Sequence, residues 1–276
     1  MTILPHPFAY FQVLSVLYLA SGLAQAAYVE IQAVPRVTIE QRLRRYSKNN
    51  RTRETELRKM FEEAGCADQV FEQTVTPEVP PNVVCRLPGS TDSTIIVGAH
   101  SDRRGRGQGV LDDWSGAALL ASLFQALRGS VRQHTFIFVG FTAEEHHSKG
   151  SRFYVKQLNA AETGKIRAMV NLDCIGASST AVWTHHADPK LLAILYDVGR
   201  EEHSAVRNVN FVRIYDDAMQ FRKRKIPTVS IHSLTGGTVR VLHSRRDNLS
   251  VIDLDQYDAS YRLIVAYLTC LDLALK

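Results

Sequence analysis

Thr94-Ile-Ile-Val-Gly-Ala-His-Ser-Asp102 decides how this chain folds. Its β-branched and small apolar residues, preceded by the turn Pro88-Gly-Ser-Thr-Asp92, read as a buried strand, and the strand stops on an imidazole and a carboxylate. The same arrangement occurs twice more. Thr135-Phe-Ile-Phe-Val-Gly-Phe-Thr142 runs into Ala143-Glu-Glu145, and Ile166-Arg-Ala-Met-Val-Asn-Leu172 runs into Asp173. Asn82–Leu87 and Thr228–His232 add two more strand-like runs. Helical patterns lie between and after them at Ser115–Leu127, 151–158, 189–203 and 254–275, the first apolar on most sides and so expected to be buried. Strands alternating with helices predict an α/β fold, a mixed, mostly parallel twisted sheet with helices on both faces in three layers. Residues 37–64 are charged and helical in pattern, with Leu43, Tyr46, Leu57, Met60 and Phe61 as a sparse apolar side, and are expected to cover one edge of the sheet. No repeat, low-complexity stretch or linker divides the chain, which argues for one domain.

Composition bounds the function. The chain has 276 residues, 45% of them hydrophobic and 22% charged, enough for a core that needs no staples. A net charge of +5 raises anionic partners, but no aromatic-interleaved basic stretch or nucleic-acid module is present, so nucleic acid is not expected as a partner. Phe11 to Ala24 is apolar and uncharged, and Ala24-Gln25-Ala26 has the small-x-small form of a cleavage site. Although residues 1–10 lack Lys and Arg, the expectation is a signal peptide over 1–26 and an exported catalytic domain over 27–276, without stable membrane insertion after cleavage. The alternative is an apolar N-terminal helix that packs on or anchors the domain. Export would expose the four cysteines to an oxidising compartment. Cys66 and Cys85 lie close enough in sequence to bridge, whereas Cys174 and Cys270 read as buried thiols, although four cysteines allow three pairings.

Open α/β sheets carry functional residues at the carboxyl ends of their strands. Three strand ends here present His100, Glu144 with Glu145, and Asp173 toward one crevice. Hydrolytic metal pairs need mixed imidazole and carboxylate donors, one carboxylate shared between the ions, and a further carboxylate to take the proton of an activated water. Glu144-Glu145 supplies adjacent carboxylates that divide naturally into a base and a ligand. Asp102, two residues beyond His100, can hydrogen-bond the imidazole nitrogen that faces away from a metal. Taken singly, these features have ordinary explanations. Asp112-Asp113 ahead of Ser115-Gly116 fits a helix N-cap, and a Glu-Glu pair in a loop is usually solvated. Their joint occurrence in order is what points to a site. His146-His147 lacks the spacing of a helical ligand pair and is left out.

GAHSD (98–102), DDWSG (112–116), AEEHHSKGS (143–151), NLD (171–173) and HSRRD (243–247) follow one another in the order found in the two-zinc aminopeptidases, the family that also contains the glutaminyl cyclases. The chain resembles that family over about residues 80 to 275. The resemblance implies a zinc aminopeptidase or phosphorylase/hydrolase-like fold and two zinc ions. It places His100 and Asp173 on one ion, Glu145 and His243 on the other, and Asp112 between them. It also makes Glu144 the general base, has Asp102 orient His100, and has Asp247 brace His243 or its loop. The substrates implied are peptides with a free N-terminus. Glutaminyl cyclases tend to lose the second Asp of DDxSG; both are present here, which favours hydrolysis over the alternatives of single-zinc cyclisation or a catalytically silent binding domain. Two departures stand out. Ala218 takes the place of a family His in Asp216-Asp-Ala-Met-Gln-Phe221, leaving Tyr215 and Asp217 as candidate substrate-binding groups. The loop Arg103-Arg-Gly-Arg-Gly-Gln-Gly109, with residues 222–225 and Arg245-Arg246, is unusually basic, which suits either a solvated rim or attraction of acidic peptides or a short peptide's carboxylate.

Overall fold

Burial with a period of two assembles the predicted strands into one sheet. Val83, Cys85 and Leu87, Ile95, Val97 and Ala99, and Phe136 and Phe138 point into a large core on one face. The residues between them, Val84, Ile96, Val139 and Phe141, point into a smaller core on the other. Side chains that alternate across a strand produce this division, and burial of both faces explains why the strands read as continuous apolar runs. The computed structural model describes residues 13–18, 27–211 and 215–276.

Ten strands are present among the described residues. β1 (Val13–Tyr18) and β2 (Ala27–Gln32) form a separate antiparallel pair. β3 (Val70–Gln73), β4 (Asn82–Leu87), β5 (Thr94–His100), β6 (Thr135–Phe141), β7 (Ile166–Leu172), β8 (Ala181–Val182), β9 (Arg207–Asn208) and β10 (Thr228–His232) form one sheet in the order β3-β4-β6-β5-β7-β10-β8-β9. The centre, β6-β5-β7-β10, is parallel, and antiparallel pairings occur toward the edges. The predicted mixed, mostly parallel α/β architecture is what the chain adopts.

The helices are α1 (Arg36–Leu43), α2 (Asn50–Phe61), α3 (Ser115–Leu127), α4 (Lys149–Gln157), α5 (Ala160–Lys165), α6 (Pro189–Glu201), α7 (Ala218–Arg222) and α8 (Leu254–Ala274). α3, α6 and α8 pack into the large core, while α4 and α7 contribute Tyr154, Val155 and Phe221 to the smaller one. Boundaries follow local chemistry. Asp188 accepts from the Lys190 and Leu191 N–H groups ahead of Pro189, and Asp253 accepts from those of Asp255 and Gln256, each cap worth about 1 kcal/mol.

The charged segment at 37–64 departs from expectation. It is two helices, restarted by the Asn49 cap, and α1 packs on α3 and α8 while α2 packs on α3 and β4, so it covers a face of the sheet and not its edge. The sparse apolar side was the clue: Leu43, Leu57, Met60 and Phe61 are all fully buried. Cys66 and Cys85 are disulfide-bonded with Cα atoms 6.3 Å apart, tying the end of α2 to β4, and Cys174 and Cys270 are buried free thiols, as expected. The Ala24-Gln25-Ala26 cleavage motif lies outside the described residues. Within the leader, 13–18 is a strand and not a helix. Among the described residues no helix is long and apolar enough to cross a membrane.

Candidate active site

The parallel strands β6, β5, β7 and β10 end on the same side of the sheet, at a cavity of about 570 Å³. His100 is the last residue of β5, Asp173 follows the last residue of β7, and Glu144-Glu145 lies just past β6. Asp112 comes from the turn before α3, and His243 from the loop between β10 and α8. All six line the cavity.

Asp112 is the hub. Its Oδ1 lies 3.1 Å from His100 Nε2 and its Oδ2 lies 3.1 Å from His243 Nε2, and the same His243 nitrogen is 2.9 Å from Glu145 Oε2. Donor atoms of His100, Asp112 and Asp173 therefore fall within 4.8 Å of one another, as do those of Asp112, Glu145 and His243. Two three-residue groups share one carboxylate, with an oxygen turned to each. Glu145 Oε1 is buried without a hydrogen-bond partner. A mixed N/O donor set with a shared carboxylate and an orphaned buried oxygen fits a pair of divalent cations, and suits zinc.

The backbone around these residues is held in sparsely populated conformations. Ala143, His147, Ser148, Cys174 and His243 all have positive φ, between 49° and 65°, and none is a glycine. Such conformations cost free energy and concentrate at functional sites. Asp113, bonded to Asp112 by a cis peptide, is fully buried; its carboxylate accepts from the backbone N–H groups of His100, Gly116 and Cys174, so one side chain ties β5, α3 and the end of β7 together. The N-cap position of α3 is Trp114 and not the Asp pair, although Asp113 accepts from the Gly116 N–H in the first turn while Asp112 faces the cavity.

Electrostatics reflect the crowding of acids. Burial, reinforced by Asp217, Asp173 and Asp102, pushes Glu144 up to about 9 even though His100 opposes the shift. Burial likewise raises Asp173 to about 6. Hydrogen bonding to Asp112 and Glu145 raises His243 to about 10, whereas Asp112, with an imidazole on each oxygen, is held below the usual carboxylate range despite its burial. So dense a cluster of acids is stabilised by cations.

Asp102 Oδ1 accepts from the Glu144 N–H at 2.9 Å and faces His100 Nδ1 at 3.5 Å, so it joins the β5 and β6 ends. Tyr215 lines the cavity and is 65% exposed. Asp217 is buried, is absent from the cavity lining, and is pushed up to about 7 by burial. Asp247 Oδ1 accepts from the Leu111 N–H at 2.8 Å, and its own N–H donates to the Ser244 carbonyl, so it ties the His243 loop to the Asp112 turn. The basic loop carries structural information that its charge obscured. A Cβ at Gly105 would stand 2.3 Å from the His243 carbonyl oxygen, and one at Gly107 2.3 Å from that of Ser244, so the glycines let this loop dock on the His243 loop. Sequence reasoning missed the pocket walls: His147 and Ser148, Trp183 just after the two-residue β8, Met219, Leu234 and Leu242.

The profile of peptidase family M28 matches residues 82–268. The chain belongs to that family. This M28 member is 33% identical over 108 residues to a probable leucine aminopeptidase 2 of Aspergillus oryzae, a match covering 39% of the chain and 22% of the relative. It is 30% identical over 137 residues to leucine aminopeptidase 2 of Trichophyton rubrum, covering 49% and 27%. The matched stretch thus spans about a quarter of the length of these curated relatives. Among solved structures, the fold resembles the LapA aminopeptidase of Legionella pneumophila, with TM-score 0.74, 20% identity, and 87% of this chain and 71% of that one covered. It also resembles the glutaminyl cyclase of an Acidobacteriales bacterium, with TM-score 0.71, 19% identity, and 86% and 93% covered. The zinc aminopeptidase of Bacillus subtilis aligns at TM-score 0.64 and 19% identity, covering 71% and 50%. At these identities the likenesses are of fold.

Proposed function

We propose that this M28 member is a two-zinc aminopeptidase that removes the first residue from peptides with a free N-terminus. The observation that carries the reading is Asp112, whose two oxygens each face a different histidine and join two donor groups. His100 and Asp173 would hold one ion, Glu145 and His243 the other, and Asp112 both. When bound, two such ions supply Lewis acidity toward the scissile carbonyl and lower the pKa of a shared water.

The chain's own residues do the rest. Glu144 is the proton carrier: it takes the proton of the attacking water and delivers it to the departing amine. Burial gives its carboxyl high proton affinity, and the bond from its N–H to Asp102 fixes it beside His100. Asp102 in turn holds the orientation of the His100 ring. Tyr215, exposed in the cavity lining, would donate its hydroxyl to the oxyanion that develops on the carbonyl. Asp217, buried at the start of α7 and absent from the lining, is left without a substrate contact in this reading.

The test pairs metal analysis with turnover of aminoacyl anilides and an N-terminal glutaminyl peptide. Glu144→Gln is expected to keep two zinc ions and lose about 10²–10⁴-fold in kcat, while His243→Ala loses metal. Near-wild-type turnover by Glu144→Gln would remove Glu144 from its role. Single-zinc glutaminyl cyclisation is the second reading, favoured by the chain's covering 93% of a cyclase's length. It requires one ion per chain, and the shared Asp112 weighs against it.

The Cys66–Cys85 bridge supports an oxidising compartment, and with the leader motif it leads us to propose cleavage after Ala26 and export of residues 27–276. N-terminal sequencing of exported protein tests this; a chain still beginning at Met1 would refute cleavage.

A further inference from the structure

The cavity lining carries both signs of charge. Asp112, Glu144, Glu145 and Asp173 line it, and so do three cations from three separate segments: Arg104 in the loop after β5, Arg152 in α4 and Lys223 just after α7. The cations are exposed, and none has a carboxylate within ion-pair distance among the described residues; Lys223 Nζ donates only to the neutral Gln220 side chain, at 3.2 Å. The other cations of the basic segments do not line the cavity, and four of them are engaged elsewhere. Arg103 donates to the Lys48 carbonyl, Arg222 pairs with Asp216 at 3.7 Å, Arg224 donates to the Val155 carbonyl and Arg246 to that of Arg240. Trp183, also in the wall, has a buried Nε1–H with no acceptor. Two divalent ions would balance the four carboxylates, leaving the three rim cations without a counter-charge inside the cavity.

We propose that Arg104, Arg152 and Lys223 form a carboxylate-binding subsite, so that the enzyme prefers short peptides whose second residue presents a negative charge, from a dipeptide's C-terminus or an acidic side chain. The subsite rests on the aminopeptidase reading above, with the N-terminal residue at the zinc-binding groups. Positive charge beside a low-dielectric cavity attracts anionic ligands and raises their capture rate.

Four substrates separate the possibilities: Leu-Gln amide with no carboxylate, Leu-Gln with the C-terminal one, Leu-Glu amide with the side-chain one, and Leu-Glu with both. The expected result is kcat/KM about tenfold or more above Leu-Gln amide for at least one carboxylate-bearing peptide, shrinking between about 0.05 M and about 0.5 M salt. The single-carboxylate peptide with the advantage identifies which carboxylate is read. In the Arg104→Gln/Arg152→Gln/Lys223→Gln protein the ratio should fall to near unity. A wild-type ratio near unity, or a ratio the triple variant retains, overturns the subsite. If none of the four peptides is cleaved, the aminopeptidase reading fails. Calorimetric binding of Leu-Gln, Leu-Glu amide and Leu-Gln amide to Glu144→Gln protein then decides the subsite by itself: equal affinities overturn it, and tighter carboxylate binding that the triple substitution abolishes upholds it.

Discussion

Arg53 is the position at which a single change should disturb both the fold and the site. It sits in α2, is fully buried, and its guanidinium stacks 5.1 Å from the Trp114 ring. Its Nε donates to the Ser101 carbonyl, and Nη1 donates to those of Gly109 at 2.9 Å and Gln108 at 3.2 Å. One planar fork therefore bonds the chain on either side of the zinc-binding candidates, just after His100 and just before the Asp112 turn. Arg53→Met fills similar volume but orphans the Ser101 and Gln108 carbonyl oxygens, at about 1–3 kcal/mol each, and forfeits the stacking on Trp114, worth about 1–2 kcal/mol; the Gly109 carbonyl keeps the Trp114 N–H. The loss is partly offset because a cation is no longer buried. Burial pulls the Arg53 pKa from 12.5 to about 10, equivalent to about 3 kcal/mol of charge-burial cost. The net expectation is a destabilisation of up to about 5 kcal/mol, centred near about 2, read by urea unfolding, together with zinc affinity weakened by about 10–100-fold, read by chelator competition. Arg53→Lys, which keeps the charge but not the fork, should recover part of both. A stability loss with unchanged zinc affinity would refute the positioning role, and a net stabilisation or a loss above about 5 kcal/mol would refute the accounting itself.

Two further outcomes follow from the same structure. The disulfide closes a loop of sequence separation 19, so Cys66→Ala/Cys85→Ala should lose about 3 kcal/mol in urea unfolding, whereas a loss under about 1 kcal/mol would show the bridge to be dispensable. His232 is held neutral: burial lowers its pKa to about 4, its Nδ1 accepts from the Leu234 N–H, and its Nε2–H donates to the Val209 carbonyl. The unfolded chain takes up this proton near 6.5 and the folded chain only near 4, so the contribution is complete above about pH 6.5 and up to about 3 kcal/mol is lost as pH falls to 4. Unfolding free energies of wild type and His232→Gln measured from pH 7.5 to 4 should converge on acidification, and a constant difference would refute the assignment.

How much could be read from the sequence depended on how local each signal is. β5, β6, β7 and β10 carry their alternation and apolar runs within a few residues, and α3 its all-round apolarity, so these elements and the strand-end residues His100 and Asp173 were legible from pattern alone. His243 follows no periodicity. It sits in a loop at positive φ, and only the family resemblance singled it out. β8 and β9, two residues each, exist because a neighbour pairs with them, so no local pattern pointed to Trp183 as a pocket wall. The Asp247 bond to Leu111 joins residues 136 apart and could not be inferred from spacing. Other signals were present and passed over. Asn159-x-x-Glu162 is a capping box that marks the start of α5. The alternate glycines at 105, 107 and 109 signal close backbone approach, although their arginine neighbours drew attention to charge.

The N-terminal helices raise a question that the family match alone does not pose. The match starts at residue 82, yet α2 ends before it and supplies Arg53 to both site loops. α2 also buries Leu57, Met60 and Phe61 completely against the main core, each worth about 1.5–3 kcal/mol. A chain cut at residue 82 would expose that apolar surface, lose the disulfide and leave the carbonyls of Ser101 and Gln108 without the Arg53 donor. Spread across these terms, the loss is comparable with the total stability of an ordinary domain, about 5–15 kcal/mol, before the packing of α1 is counted. The segment from α1 onward is therefore part of the folded unit, and the loops on either side of the Asp112 hub are tied by a residue that lies outside the stretch by which the family is recognised.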